Sequence, residues 1–117
     1  MRMDNPMSGR KIPQAVRLAL KELQEYLAEI YGERLGGIYL YGSYARGDFH
    51  PGSDIDVLIA LKGKVNPTQE IDLIGDVVAD ICLNHNVLIA TFPVPEEWLK
   101  QRKSPLFENV RQEGIRL

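Results

Sequence analysis

Apolar residues recur at intervals of three and four along residues 12–31, a spacing that predicts an amphipathic helix with Lys, Glu and Gln on its other side. Pro13 suits the first turn of this helix and Gly32 its end. The same spacing predicts a second helix over residues 68–83. The residues expected to form its core face are Ile71, Ile74, Val77, Val78 and Ile81.

Three shorter runs are rich in β-branched and aromatic residues, which predicts strands. They cover residues 38–41, 53–61 and 86–92. The first run stops at Gly42-Ser43, where a short helical turn over residues 44–46 can begin. The third run stops at Pro93 and Pro95, because proline cannot donate to a strand ladder.

Two further short helices are predicted over residues 96–102 and 105–113. The order of helix, strand, strand, helix, strand and helices predicts an α/β (α+β) fold, a small mixed β-sheet with helices packed on one side. A chain of 117 residues fits one domain. We assign that domain to residues 11–117, after a polar and flexible N-terminal tail over residues 1–10.

Composition excludes several classes of function. The sequence has 14 Lys and Arg against 16 Asp and Glu, a net charge of −2, which argues against direct nucleic-acid binding. Cys82 is the single cysteine, so neither an internal disulfide nor a Cys/His zinc site is expected. The longest apolar run, residues 57–61, is too short to cross a membrane, and residues 1–9 lack the apolar stretch of a secretory signal. A cytoplasmic protein without membrane contact is expected.

Asp54 and Asp56 are two residues apart at the start of the second predicted strand, so both side chains leave the same face, roughly 6–7 Å apart. Two like charges this close repel, and a divalent cation would offset that repulsion. Mg²⁺ is typically held by one or two carboxylates together with substrate phosphates. The pair therefore predicts a magnesium site, although a solvated strand edge would also explain it.

Gly42-Ser43 supplies features that suit the phosphates of such a substrate. Glycine lets the backbone approach a ligand closely, and the N–H groups of the following turn point outward. The Ser43 hydroxyl can donate to a phosphate oxygen, Arg46 adds a fixed positive charge, and Ser53 is a further candidate contact. Each residue alone also fits a common turn or a surface position. His50, between the two halves of the motif, could reach a phosphate or be merely solvated.

The joint pattern is more specific than its parts. The run from Tyr41 to Gly47, followed after six residues by Ser53-Asp54-Ile55-Asp56-Val57-Leu58, resembles the signature of the DNA polymerase β-type nucleotidyltransferase superfamily. It is most similar to the small stand-alone minimal nucleotidyltransferases. Their spacing of glycine-serine, ten residues and Asp-x-Asp is matched without a gap, and residues 104–114 also resemble the end of those proteins.

This resemblance implies that Asp54 and Asp56 are catalytic metal ligands for Mg²⁺, in a site that could hold two ions. It implies that Gly42 and Ser43 bind the phosphates of a nucleoside triphosphate such as ATP. The reaction would transfer a nucleoside monophosphate to an acceptor hydroxyl. Stand-alone members typically act as antitoxins that modify a small helical HEPN-domain protein, so a HEPN partner is expected. Whether the chain forms homo-oligomers or hetero-oligomers stays open.

One part of the superfamily pattern is missing. Polymerase-type members carry a third carboxylate on the next strand, but residues 86–92 contain no acid. Glu96 and Glu97 follow two prolines and are expected to begin a helix. Asp72, Asp76 and Asp80 are spaced for a solvated helix face. The alternative function is therefore a catalytically weak or inactive binding module that neutralises a HEPN partner by occlusion.

Overall fold

A computed structural model of the protein describes residues 12–117. The predicted tail over residues 1–10 lies outside the described residues. The helices are α1 (Gln14–Tyr31), α2 (Ser43–Arg46), α3 (Pro67–His85), α4 (Glu96–Gln101) and α5 (Pro105–Glu113). The strands are β1 (Leu35–Tyr41), β2 (Ile55–Leu61), β3 (Ile89–Pro95) and β4 (Ile115–Arg116). A single turn of 3₁₀ helix, Gly32–Arg34, joins α1 to β1.

The four strands form one sheet in the order β3-β2-β1-β4. β1 pairs antiparallel with β2 and β4, whereas β2 and β3 are parallel and are connected through α3. The sheet is therefore mixed, and the predicted α/β class is confirmed. No helix within residues 12–117 is long and apolar enough to cross a membrane.

The helices cover both faces of the sheet, which corrects the expectation that they pack on one side. Ile55, Val57 and Ile59 of β2 pack with α1 and α3 on the first face. Leu58 and Ala60 point the other way and pack with residues of α4 and α5. Alternate residues of a strand point to opposite faces, so the unbroken apolar run over residues 57–61 of β2 requires a helical cover on each side.

β3 also differs from its prediction, because it begins three residues later and continues through Pro93 to Pro95. Of the three preceding residues, Asn86 is the C-cap of α3, in the left-handed conformation with φ 53°, and Val87 and Leu88 connect that cap to β3. Prolines are tolerated in β3 because it is the edge strand of the sheet, where an outward-facing position needs no N–H donor.

The helix faces follow the predicted spacing except near their margins. Along α1 the buried residues are Val16, Ala19, Leu20, Leu23, Leu27 and Tyr31. Ile30 is exposed, although it fits the apolar spacing of that helix. In α3, Ile74, Val78 and Ile81 are buried and Val77 is partly buried. Ile71 was predicted in this core face, but it is 41% exposed because it lies at the outer margin of the helix, beside the edge strand.

Gly75 lies in the interior of α3, and a methyl group added to it would meet nothing within 4 Å. Internal packing therefore does not require a glycine there. Gly75→Ala is expected to raise the free energy of unfolding by about 1 kcal/mol, because alanine loses less backbone entropy in a helix. Urea denaturation followed by circular dichroism measures this change, and an unchanged or lower midpoint would contradict the prediction.

Candidate active site

The antiparallel pairing of β1 and β2 brings the two halves of the sequence motif together. Tyr41, the last residue of β1, pairs directly with Asp56 of β2. Gly42 follows Tyr41 with φ 75° and ψ −152°, a conformation that is nearly restricted to glycine. A side chain at Gly42 would collide with the Asp56 carboxylate. Glycine thus allows the turn and this carboxylate to lie in contact.

The six predicted site residues line one open cavity of about 690 Å³: Gly42, Ser43, Arg46, Ser53, Asp54 and Asp56. His50 also lines it. The residues that sequence reasoning missed are Tyr41, Asp48, Gly52, Leu106 and Asn109. Tyr41, Asp48 and Gly52 lie within or beside the motif. Their closeness in sequence to the predicted site residues is the feature that could have identified them.

Leu106 and Asn109 belong to α5, which the sequence placed on the wrong face of the sheet. Asp56 shares its face of β2 with Leu58 and Ala60, which pack with α5 residues. Arg111 holds α5 in place by donating to the backbone carbonyl oxygens of Leu99 and Arg102. The C-terminal helix therefore forms one wall of the cavity.

The carboxylates of Asp54 and Asp56 differ in environment. Asp54 is exposed just before β2, and Asp56 is half-buried within it. Burial raises the pKa of Asp56, the negative charge of Asp54 raises it further, and Arg46 partly opposes both effects. Within residues 12–117, neither carboxylate has a basic group within 4.0 Å. The charged pair is therefore poorly compensated by the described part of the chain.

Tyr41, on the wall of the cavity, is a second group whose pKa is raised. Its ring is half-buried, and the pKa of its phenol is raised by burial and by the charge of Asp56. A raised phenol pKa keeps Tyr41 neutral at physiological pH, so the hydroxyl acts as a hydrogen-bond donor or acceptor and not as an anion.

Arg46 lies on the cavity wall, paired with two acidic side chains. Its Nε is 3.2 Å from Asp48 Oδ2, and its Nη1 is 3.7 Å from Glu113 Oε2. The pKa of Arg46 is raised, mainly by the hydrogen bond to Asp48. All three side chains are exposed, and exposed ion pairs are weak and screened by salt. The guanidinium can therefore exchange these partners for a phosphate at little cost.

Ser53 closes the loop that precedes the carboxylates. Its Oγ accepts a hydrogen bond from the backbone N–H of His50 at 2.9 Å, and its own N–H donates to the His50 carbonyl oxygen at 2.9 Å. The hydroxyl proton of Ser53 is not used in either bond, so it can still be donated to a ligand.

The parallel pairing of β2 with β3 places Ala90 beside Asp56. Ala90 is exposed and lies where the next strand could offer a third acid. Glu96 and Glu97 begin α4 beyond the opposite end of β3, as predicted. No group of three or more His, Cys, Asp or Glu side chains suited to a metal ion occurs among residues 12–117.

Ala90→Asp is expected to lower the stability of the metal-free protein by about 0.2–1 kcal/mol, because like charges directly opposite on neighbouring strands repel. Mg²⁺ should then stabilise this variant more than it stabilises the unsubstituted protein. Thermal denaturation with and without MgCl₂ measures both effects, with Ala90→Asn as the uncharged control. An equal response to Mg²⁺ in both variants would show that position 90 does not face the metal site.

Known sequences resemble this chain over most of its length. The profile of the family described as "Nucleotidyltransferase domain" matches residues 20–105. "Putative protein adenylyltransferase MJ0604" of Methanocaldococcus jannaschii is 36% identical over 97 residues, which cover 82% of this chain and 91% of that protein. "Putative protein adenylyltransferase MJ0141" of the same organism is 30% identical over 96 residues, which cover 82% and 92%.

Similar folds occur among solved structures. A toxin–antitoxin crystal structure with AMP-PNP has a TM-score of 0.57 at 20% identity, covering 84% of this chain and 70% of that one. The structure of "a putative nucleotidyltransferase from Sulfolobus solfataricus" has a TM-score of 0.52 at 22% identity, covering 99% of this chain and 89% of that one. At these identities the structures support the fold alone. The family match and the two relatives decide the assignment: the chain belongs to the nucleotidyltransferase domain family.

Proposed function

We propose that this nucleotidyltransferase uses Mg²⁺ and ATP to transfer AMP to a hydroxyl group of a protein acceptor. One observation carries the proposal: Asp54 and Asp56 face the same cavity as Gly42 and Ser43, and no basic group among residues 12–117 lies within 4.0 Å of either carboxylate. Two neighbouring carboxylates without a basic partner would bind a divalent cation that arrives with a substrate.

The donor set fits magnesium. Asp54 and Asp56 offer hard carboxylate oxygens. The pKa of Asp56 is raised by burial and, to a smaller extent, by the charge of Asp54, and a bound divalent cation would offset both effects. When bound, Mg²⁺ would neutralise phosphate charge and polarise phosphoryl oxygens. The cavity of about 690 Å³ is within the range of small-molecule sites.

The polar side chains around the carboxylates would orient the nucleotide. Ser43 and Ser53 each offer a hydroxyl proton, and Arg46 offers a guanidinium that exposed acids hold only weakly. In the reaction, the acceptor oxygen forms a bond to the α-phosphorus, and the bond from that phosphorus to the oxygen bridging the β-phosphate breaks. Pyrophosphate leaves, and the hydroxyl proton passes to solvent.

A protein acceptor is supported by the relatives, since both M. jannaschii proteins carry the name "putative protein adenylyltransferase". The structural neighbours include the toxin–antitoxin pair MntA-HpeT, matched at 21% identity with a TM-score of 0.56. We therefore propose an antitoxin role for this chain, with a HEPN-domain protein as the partner that it modifies.

A second function is favoured by one specific observation, the alanine at position 90 beside Asp56. Without a third acid, the chain would act as a binding module that neutralises its partner by occlusion. Neutralisation would then persist in the Asp54→Asn/Asp56→Asn variant when both proteins are expressed in cells. Loss of neutralisation in that variant would count against occlusion.

Labelled ATP tests the transfer itself. The purified chain is incubated with Mg²⁺ and a HEPN-domain protein as the candidate acceptor, using ATP labelled on either the α- or the γ-phosphate. Transfer of AMP predicts that only the α label reaches the partner and that Asp54→Asn/Asp56→Asn prevents it. Label from the γ-phosphate, or equal labelling by the double variant, would overturn the proposal.

A further inference from the structure

An apolar groove of about 590 Å³ lies between α3 and the edge strand β3, on the sheet face opposite Asp56. Ile71 and Leu83 of α3 form one side, and Leu88 precedes β3 on the other. These side chains are 41%, 79% and 59% exposed. Three exposed large apolar side chains around one depression are typical of a surface that another molecule covers.

Small residues form the middle of the helix wall. Gly75 and Ala79 both line the groove, and a methyl group added to Gly75 would remain in open space. The backbone of α3 is therefore accessible to a close neighbour. A helix lying here would pack beside α3 as α1 does on its other side, and would extend the helical layer past the sheet edge.

The outer border of the groove is acidic. Asp72, Asp76 and Asp80 are exposed along α3, and the described part of the chain gives none of them an ion-pair partner. At 100° per residue, Asp72 and Asp76 lie next to Ala79 and Leu83 on the helix surface. This charge disfavours nucleic acid, anionic lipid and a second copy of α3, and it favours a partner with basic side chains.

The groove continues toward the candidate active site. A cleft of about 310 Å³ shares Asn86, Val87 and Leu88 with the groove, and it shares Gly52 and Ser53 with the cavity around the carboxylates. A chain that occupies the groove can therefore extend along the surface to the position where transfer would occur.

We propose that this groove docks an amphipathic helix of the acceptor protein, with apolar side chains between α3 and β3 and lysine or arginine facing Asp72 and Asp76. The segment that follows the docked helix would cross the cleft and present the acceptor hydroxyl. Docking of a basic amphipathic helix is independent of the transfer reaction, whereas the partner's identity as the acceptor and the delivery of its hydroxyl rest on the proposed function.

Synthetic peptides test the docking. The probe is an 18-residue helix with leucine at the spacing of one helix face and lysine on its flanks, compared with the same peptide carrying glutamate in place of lysine. Fluorescence anisotropy should show at least tenfold tighter binding of the lysine peptide, decreasing with salt. Equal binding of the two peptides would overturn the charge assignment and with it the proposal.

Substitutions of groove residues provide a second test of docking. Leu83→Ser removes an apolar contact without adding a charge, and Gly75→Leu adds a side chain whose Cβ meets nothing within 4 Å. Each should weaken binding of the lysine peptide at least tenfold. Leu73→Ser is the matched control, since Leu73 lies on the same helix, is 62% exposed and does not line the groove. A loss as large in Leu73→Ser would overturn the proposal.

Two further measurements separate this proposal from its alternatives. The Asp54→Asn/Asp56→Asn variant should bind the peptide normally, so docking stands even if AMP transfer is disproved. Analytical ultracentrifugation of the chain alone should show no association that Leu83→Ser abolishes. Such an association would assign the groove to a second copy of this chain and overturn docking of an acceptor.

Discussion

Asp56→Asn is expected to slow AMP transfer strongly while making the metal-free fold more stable. The loss should be roughly 10²–10⁴-fold, because removing a charged metal ligand costs several kcal/mol of transition-state stabilisation. The gain in stability follows from the environment of the carboxylate, which is half-buried beside Asp54 and unpaired with any basic group among residues 12–117. Asparagine keeps the shape of the side chain and removes the repulsion.

The contribution of Asp56 to stability should also change with pH in a definite direction. The pKa of Asp56 is raised in the folded state, so the folded chain binds more protons than the unfolded chain between the two pKa values. The contribution of Asp56 to stability is therefore fully present below the unfolded pKa and is lost as the pH rises through the folded pKa. Urea denaturation at a series of pH values should show this loss, and Asp56→Asn should lack it.

Asp54→Asn is the matched control for the stability effect. Asp54 is exposed, so its replacement should weaken transfer as strongly but should change stability mainly by relieving Asp56. If Asp56→Asn destabilised the metal-free protein, Asp56 would have a compensating partner that this account lacks.

Gly42→Ala is expected to damage both folding and transfer. The backbone of Gly42, with φ 75° and ψ −152°, costs about 1–3 kcal/mol for any other residue. The new methyl group would also collide with the Asp56 carboxylate and displace it. Chemical denaturation should show the lower stability, and Mg²⁺-dependent ATP binding should be lost.

Gly47→Ala distinguishes the cost of backbone strain from the cost of a collision with the Asp56 carboxylate. Gly47 also has a positive φ, 90°, but a methyl group there would meet nothing within 4 Å. We expect this variant to lose about 1–2 kcal/mol through backbone strain and to keep ATP binding. A double-mutant cycle completes the test, since Gly42→Ala should cost less stability when Asp56 is already alanine. Equal costs in both backgrounds would show that no collision occurs.

The candidate site could be predicted from the sequence because its parts are close along the chain. Gly42, Ser43, Asp54 and Asp56 lie at the facing ends of two adjacent strands, and antiparallel pairing brings those ends together. The contribution of α5 could not be found in the same way. Leu106 and Asn109 reach the cavity only because α5 crosses the second face of the sheet, which depends on tertiary packing.

The sequence nevertheless contained an indication that helices cover the second face of the sheet. Residues 57–61 are apolar without alternation, and all of them are buried in β2. A strand covered on one face alone would alternate between apolar and polar residues, so the run indicates helices on both sides. The sequence could not show that Ile71 is exposed. Apolar residues that face the core and apolar residues at an exposed groove follow the same helical spacing.

The central claim is that Asp54, Asp56, Gly42 and Ser43 together bind ATP with Mg²⁺. Isothermal titration calorimetry of the purified chain with ATP tests it most directly, in MgCl₂ and in EDTA. The account predicts binding in MgCl₂, with affinity at least tenfold weaker in EDTA and in the Asp54→Asn/Asp56→Asn variant. Affinity that is unchanged by EDTA and by the double substitution would contradict it.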